Sequence, residues 1–310
     1  MNPQTILAIT NFSASTDAVL SRAAQLAREH DATLELMVAP AGGELPCPDA
    51  ARRLSHHASQ LGQRHEIRVH TVNQPANCLQ DLVDVARRAD LVVMGANSER
   101  GLKSLFYGLP EERLLRAARR PVLAVRKAGA SESPYGHLLV AVDLSDASRH
   151  LVAAAFTLGK SAKVELFHAI STSNERNLRF AEASEQTIKA YRLECVRHAQ
   201  DRLCMLSDST DARRNRLASA IGHGNPALQA VVQQQYCGAE LIVVGKRPAS
   251  AVSDFVFGSV SQRVPRYATS DVLVIPHGFR SGTRSLAGHR LAQAPPVTRR
   301  IRAGAPLSPG

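Results

Sequence analysis

Leu91-Val92-Val93-Met94-Gly95 and Leu241-Ile242-Val243-Val244-Gly245 are one apolar pentapeptide pattern written twice, 150 positions apart. Each terminal glycine is followed thirteen positions later by another, Gly108 and Gly258. Then come Pro121-Val122-Leu123-Ala124-Val125 and Asp271-Val272-Leu273-Val274-Ile275, at the same offset of 150. Short apolar runs bounded by glycine or proline read as strands buried on both faces. Two sets at one spacing mean an internal repeat.

The repeat extends to the start of each copy. Ile6-Leu7-Ala8-Ile9-Thr10-Asn11-Phe12-Ser13 aligns with Leu138-Leu139-Val140-Ala141-Val142-Asp143-Leu144-Ser145 at an offset of 132. The difference between the offsets puts an insertion of about 18 residues in the middle of the second copy. Strands are expected near 4–10, 33–39, 66–72, 90–95 and 121–126, and again near 137–143, 163–170, 216–221, 240–245 and 271–276. The first helix of each copy is expected after a Ser or Asp cap. Val19, Ala23 and Leu26 line one face of the first, and Leu151, Ala154, Ala155 and Leu158 one face of the second.

Strands alternating with helices imply right-handed βαβ units. The expected class is α/β: two tandem doubly wound, Rossmann-like domains, each a five-stranded parallel sheet flanked by helices. Ligands of such sheets bind at the carboxyl ends of the strands. The domains are expected at 1–127 and 137–278, with a small polar linker at 128–136. A final strand leaves an open edge that needs a partner. The inserted stretch around Arg176 to Leu203 is helix-prone and reads as a lid or an interaction helix.

The chain has 310 residues, 44% hydrophobic and 21% charged, as expected of a globular protein. Trp is absent, so the core is aliphatic. No apolar run is long enough to span a bilayer, and no leader segment is visible, so a cytoplasmic location is expected. The five cysteines include no Cys-x-x-Cys pair and read as free thiols. The net charge is +11, but six of those charges are arginines of an acid-free stretch from Phe279 to Gly310; without them +5 remains. That stretch, rich in Pro, Gly, Ser and Arg, reads as a disordered basic tail. It has no interleaved aromatics for base stacking, which argues against single-strand nucleic-acid binding.

The chemistry concentrates at Gly245-Lys246-Arg247-Pro248, nine residues, then Gly258-Ser259. A glycine ending a strand lets a ligand approach the backbone. Gly-Ser opening the next helix offers N–H groups and a hydroxyl to phosphate oxygens. Asp143, ending the first strand of that copy, can accept hydrogen bonds from a nucleoside. The competing reading is that both glycines serve only turns and packing.

With these residues, the chain over 4–277 resembles the tandem, two-domain form of the universal stress protein family. That family's motif is Gly-x2-Gly-x9-Gly-Ser/Thr after an apolar strand. The Asp/Asn-x-Ser start of each copy and the Gly224-Asn225-Pro226 turn add to the resemblance. It implies an adenine nucleotide hydrolase-like fold, a role in stress adaptation, ATP binding with Mg2+ in some members, and pairing of the final strands, Pro121–Val125 with Asp271–Ile275, as an intramolecular pseudo-dimer. It places a nucleotide site on Ala141, Val142, Asp143, Ala169, Val244, Gly245, Lys246, Arg247, Gly258, Ser259 and Val260.

The copies depart from the motif unequally. In the second, Pro248 replaces the middle glycine and removes one N–H donor, while Lys246 and Arg247 add positive charge. In the first, Asn11 replaces the aspartate, Ser98 the glycine, and Gly108-Leu109-Pro110 the Gly-Ser step, so that site looks dismantled. No Gly-x-Ser-x-Gly elbow or Walker A lysine motif is present, and no catalytic base stands out. Three readings stand: a regulatory protein that senses an adenine nucleotide in its second half, a ligand-free scaffold working through protein contacts, and a weak ATPase. Among histidines, His56-His57 read as a solvated face, His168 as a packed strand end beside the ligand edge, and His223 as an exposed loop residue.

Overall fold

A computed structural model describes residues 2–13, 15–39, 48–72, 79–96, 118–126, 133–209, 216–246 and 260–279. The first half contains β1 (Thr5–Thr10), α1 (Thr16–His30), β2 (Thr33–Val38), α2 (Ala50–His65), β3 (Val69–Thr71), α3 (Leu79–Ala86), β4 (Leu91–Gly95) and β5 (Val122–Val125). The second contains β6 (His137–Ala141), α4 (Ser148–Leu158), β7 (Lys163–Ile170), α5 (Ser173–Phe180), α6 (Glu185–Asp208), β8 (Leu217–His223), α7 (Pro226–Cys237), β9 (Leu241–Lys246), α8 (Val260–Tyr267) and β10 (Asp271–Pro276).

The described strands form one sheet, in the order β3-β2-β1-β4-β5-β10-β9-β6-β7-β8. Every pairing within a half is parallel. The centre differs: β5 and β10 run antiparallel, with Leu123 opposite Leu273. Each final strand thereby covers the other's open edge.

Side chains alternate across the strands, so each strand feeds two cores. Ile6 and Ala8 pack with α1 on one face, and Leu7 and Ile9 pack with Leu82 and Val83 of α3 on the other. Both cores run through the two halves, joined across Leu123 and Leu273 on one side and Val122 and Val274 on the other. The faces expected for α1 and α4 are the buried ones. The repeat is also visible in single bonds. Asp90 accepts from the backbone N–H groups of Gln4 and Thr5 at 2.9 and 3.1 Å, and Glu240 accepts from that of Gly136 at 2.7 Å.

The helix caps differ from expectation. Ser15 is the N-cap of α1 without a capping side-chain bond, and α4 starts after Ala147. Short turns, Thr16 N–H to Ser13 O and Ser148 N–H to Ser145 O, take over the first donors. The turn before α7 is as read: Asn225 accepts from the N–H groups of Ala227 and Leu228, and Pro226 needs no partner at the first helical position.

In both halves the residue after the Asn or Asp adopts a left-handed backbone, φ 56° at Phe12 and 59° at Leu144. Such a conformation costs a branched or bulky residue about 1–2 kcal/mol. Each is gripped by an arginine of the helix that precedes the third strand of its half. Arg53 lies 4.2 Å over the Phe12 ring, while Arg202 donates twice to the Leu144 carbonyl at 3.2 and 2.8 Å. The insertion forms α5 and the lengthened α6. Glu175 of α5 holds them together, accepting from Arg192 Nε and Nη2 at 2.8 and 2.6 Å and facing His223 Nε2 at 2.8 Å. Arg192 keeps the Glu175 carboxyl below its ordinary range. Leu203 and Leu206 bury the end of α6 in the core.

A polar cluster is buried where the halves meet. Arg22 and Asp271, 2% and 0% exposed, lie 3.5 Å apart. Asp271 also accepts from Tyr135 Oη at 2.7 Å and from the Arg126 N–H at 2.8 Å. The Arg22 guanidinium covers the Tyr135 ring at 4.1 Å and donates to Gln25 Oε1 and Ser133 O. Burial pushes the Asp271 carboxyl up, against these donors, and pushes the Tyr135 phenol well up. Phe279, read from composition as the start of the tail, packs against the core. Residues 280–310 lie outside the described residues.

Candidate functional site

In the second half, β6 and β7 end in Ala141 and Ile170, and β9 and β10 in Lys246 and Pro276. At these carboxyl ends, with α4 along one side, is a cavity of about 870 Å3. That is ample for a nucleotide-sized ligand; such pockets span roughly 300–1,000 Å3. Eight of the expected residues line it: Ala141, Val142, Asp143, Ala169, Val244, Gly245, Lys246 and Val260. Arg247, Gly258 and Ser259, with Pro248, lie outside the described residues.

The sequence did not mark other lining groups as site residues: Ala147 just before α4, His150 and Leu151 on it, and His277 and Phe279 after β10. The only sequence signal for Ala147 is indirect. It occupies the repeat position of Ser15, and the smaller side chain leaves room. His168, read as a packed strand end, does line the cavity. Its Nδ1 lies 2.9 Å from the Val142 carbonyl. A carbonyl only accepts, so Nδ1 carries the proton and the neutral ring keeps its lone pair on Nε2.

Asp143 is already engaged. Its Oδ1 accepts from Ser145 N–H at 3.0 Å, Ser145 Oγ at 2.6 Å and Ser148 Oγ at 3.0 Å. The same carboxylate therefore shapes the turn into α4. Asp146, with its side chain 94% exposed, lies 3.5 Å from Arg202 Nη2. The Lys246 Nζ is shielded from solvent at the cavity wall. Among the described residues, none of those lining the cavity comes from α5 or α6, so these helices cover the sheet and not the site.

Space at the strand-ending glycine separates the halves. A Cβ on Gly245 would meet nothing closer than Leu151 Cδ2 at 3.8 Å. A Cβ on Gly95 would stand 2.6 Å from Ser15 Oγ and 3.3 Å from Val19 Cγ2. Asn11 accepts from Ser13 N–H at 3.1 Å, as Asp143 does from Ser145, but without a charge. Ser98, Gly108, Leu109 and Pro110 lie outside the described residues. His57 of α2 stacks on Phe12, with ring centroids 6.3 Å apart.

Among the described residues no helix is long and apolar enough to cross a membrane. The chain is 27% identical over 296 residues to a universal stress protein of Mycolicibacterium smegmatis, covering 87% of this chain and 96% of that one. Universal stress protein YxiE of Bacillus subtilis matches at 27% over 154 residues, 46% of this chain and 99% of its own. Among solved structures, a universal stress protein from Archaeoglobus fulgidus superposes with a TM-score of 0.63 at 17% identity, covering 90% of this chain and 100% of that one. A functionally unknown protein, PA1789 of Pseudomonas aeruginosa, gives 0.61 at 23%, covering 89% and 93%. At such identities these two structures speak to the fold alone. The model of the universal stress protein family matches residues 3–126 and again 134–276, and the chain belongs to that family in its tandem form.

Proposed function

We propose that this protein is a regulatory, non-catalytic member of its family, active in stress adaptation, whose second half senses an adenine nucleotide such as ATP. The observation that carries this reading is the cavity at the ends of β6, β7 and β9, with Gly245 open at its wall where Gly95 of the first half is filled. Its wall is mostly apolar, which suits a base and ribose, with Asp143, His168 and Lys246 as convergent polar groups. ATP brings Mg2+; the carboxylates at the cavity are Asp143 and the exposed Asp146, and oxygen donors of this kind fit that ion. No residue is assigned as a base for hydrolysis.

The first half, with domain limits near 1–127 against 137–278, then serves as scaffold. Through the β5–β10 pairing it forms an intramolecular pseudo-dimer with the second. The family and the absence of an apolar spanning helix among the described residues support a cytoplasmic protein that acts through protein partners. A second reading, a ligand-free scaffold, is favoured by Pro248 and by the three bonds already made to Asp143 Oδ1.

Calorimetric titration with ATP and magnesium decides between them. The nucleotide reading expects one-site binding to the intact chain. It also expects at least a tenfold loss, by ~1.4 kcal/mol or more, in Gly245→Leu, whose side chain fills the cavity without an initial backbone clash. No heat at millimolar ATP, with an unchanged melting temperature, overturns nucleotide sensing and leaves the scaffold.

A further inference from the structure

The opposite edge of the second half's sheet, where the strands begin, carries a separate set of chemically active side chains. His137 opens β6, Glu165 lies near the start of β7, and Cys237 ends α7. One ligand atom from each, an imidazole nitrogen, a carboxylate oxygen and the thiol sulfur, lie within 4.8 Å of one another. Glu165 is 9% exposed, unusual for a carboxylate unless a cation or strong donors face it.

Each donor is aimed by a neighbour. His137 Nδ1 lies 3.1 Å from the Cys237 carbonyl. The carbonyl can only accept, so the ring proton is on Nδ1 and the lone pair of the neutral ring is on Nε2. That nitrogen faces Glu165 Oε2 at 3.9 Å. Gln233 Nε2 donates to the other oxygen, Glu165 Oε1, at 2.6 Å and so turns Oε2 towards the histidine. Histidine held by a backbone carbonyl and carboxylate held by an amide form the outer shell that metal ligands need.

We propose that His137, Glu165 and Cys237 bind one divalent transition ion of the zinc type. A nitrogen, an oxygen and a sulfur donor suit zinc, and three protein ligands leave a fourth position for water. Bond lengths of roughly 2.0–2.3 Å in a tetrahedron require ligand atoms about 3.3–3.7 Å apart. The site therefore closes by about an ångström, within reach of side-chain rotation. Burial and the Glu165 charge push the Cys237 thiol up. The bound ion would convert it to thiolate, its proton leaving to solvent. It would tie β6, β7 and α7 together at the edge remote from the cavity. The alternative is an imidazolium–carboxylate pair with the thiol as a bystander.

The first half supplies an internal control. Glu35 pairs with Leu7 as Glu165 pairs with Leu139, so the carboxylate recurs. The repeat offsets put Thr5 in place of His137 and Arg87 in place of Cys237. A cationic side chain replaces the thiolate donor there, and the proposal assigns that half no ion.

The test titrates the full-length, metal-free chain with cobalt(II), followed by zinc. One equivalent of cobalt is expected to give a near-ultraviolet thiolate-to-metal charge-transfer band that zinc bleaches. Cys237→Ser abolishes the band. Cys237→Ser, His137→Gln and Glu165→Gln each weaken zinc at least tenfold against a chromophoric chelator, while Cys204→Ser, which removes an exposed thiol on α6 outside the site, changes nothing. Gln233→Ala, which leaves the three ligands in place, weakens zinc severalfold and guards against misfolding of the ligand variants. No band, a band surviving in Cys237→Ser, or equal zinc affinity across the ligand variants would overturn the proposal.

Discussion

The carboxyl ends of β4 and β9 are the same place in two copies of one fold, yet the space beside the glycine is taken by side chains in one and open to a cavity in the other. Both strands carry a glycine at or next to their carboxyl end, and the strand paired with each, β1 or β6, leads into a left-handed residue, Phe12 or Leu144. What differs is the helix packed beside them. Ser15 and Val19 of α1 crowd Gly95, whereas their repeat partners Ala147 and Leu151 of α4 leave Gly245 clear. Two buried cores hold the scaffold in both copies, while the space beside this one glycine is set by a hydroxyl and a methyl from the neighbouring helix start.

The halves are unequal at their junction too, and there the largest effect is expected. Asp271 has Pro121 as its repeat partner, and Arg22 has Ala154, so the buried ion pair exists on one side only. Asp271→Ala removes the carboxylate that faces Arg22 and accepts from Tyr135. The expected loss is about 3–5 kcal/mol, the range for breaking a buried pair from one side. Urea denaturation followed by circular dichroism measures it. A loss below ~1 kcal/mol would mean that the halves are joined by the β5–β10 strands alone.

A smaller, pH-dependent term comes from His30, at the far end of the same helix. Burial, aided by the charge of Lys160, lowers its pKa from 6.5 to about 4. The unfolded chain therefore takes up this proton first. The stabilisation is complete above pH 6.5 and is lost as the pH falls towards 4. The slope is at most about 1.4 kcal/mol per pH unit. The raised carboxyl of Asp271 acts in the opposite sense, because the folded state binds that proton more readily. Denaturation across this range should flatten in His30→Gln; an unchanged slope would place the acid sensitivity elsewhere.

The smallest effect sharpens the comparison most directly. Gly95→Ala pushes against Ser15 and should cost about 1 kcal/mol, at the lower end for overpacking. Gly245→Ala meets only van der Waals neighbours and should cost nothing measurable. Ser15→Ala combined with Gly95→Ala removes the nearest atom and should recover most of the loss. Equal costs at the two glycines would mean that the halves are not differently filled.

Much of the architecture was legible because aliphatic runs of fixed spacing can be little else than buried parallel strands. Leu91–Gly95 and Leu241–Lys246 occupy the expected places, and the 150 and 132 offsets reappear as matched bonds of Asp90 and Glu240. The candidate site was legible in part. Eight of eleven proposed residues line one cavity, because strand ends in such a sheet are forced together by topology. Ala147, Leu151 and Phe279 were not read as site residues, because an alanine offers no chemistry, Leu151 reads as core from its helical spacing, and Phe279 reads from composition as the start of the tail. The inserted segment was legible as helix but not as sheet cover.

The sequence alone therefore determined the repeat, the α/β class and the alternation of strands and helices, and it pointed to the carboxyl ends of the second half's strands as the candidate site. These rest on period and spacing, which are local. Only the tertiary structure decided that β5 and β10 pair antiparallel, that Arg22 finds Asp271 across the junction, and that His137, Glu165 and Cys237 converge at the opposite edge. Those depend on residues 28 to 249 positions apart being brought within a few ångströms by packing, and no local pattern encodes that distance.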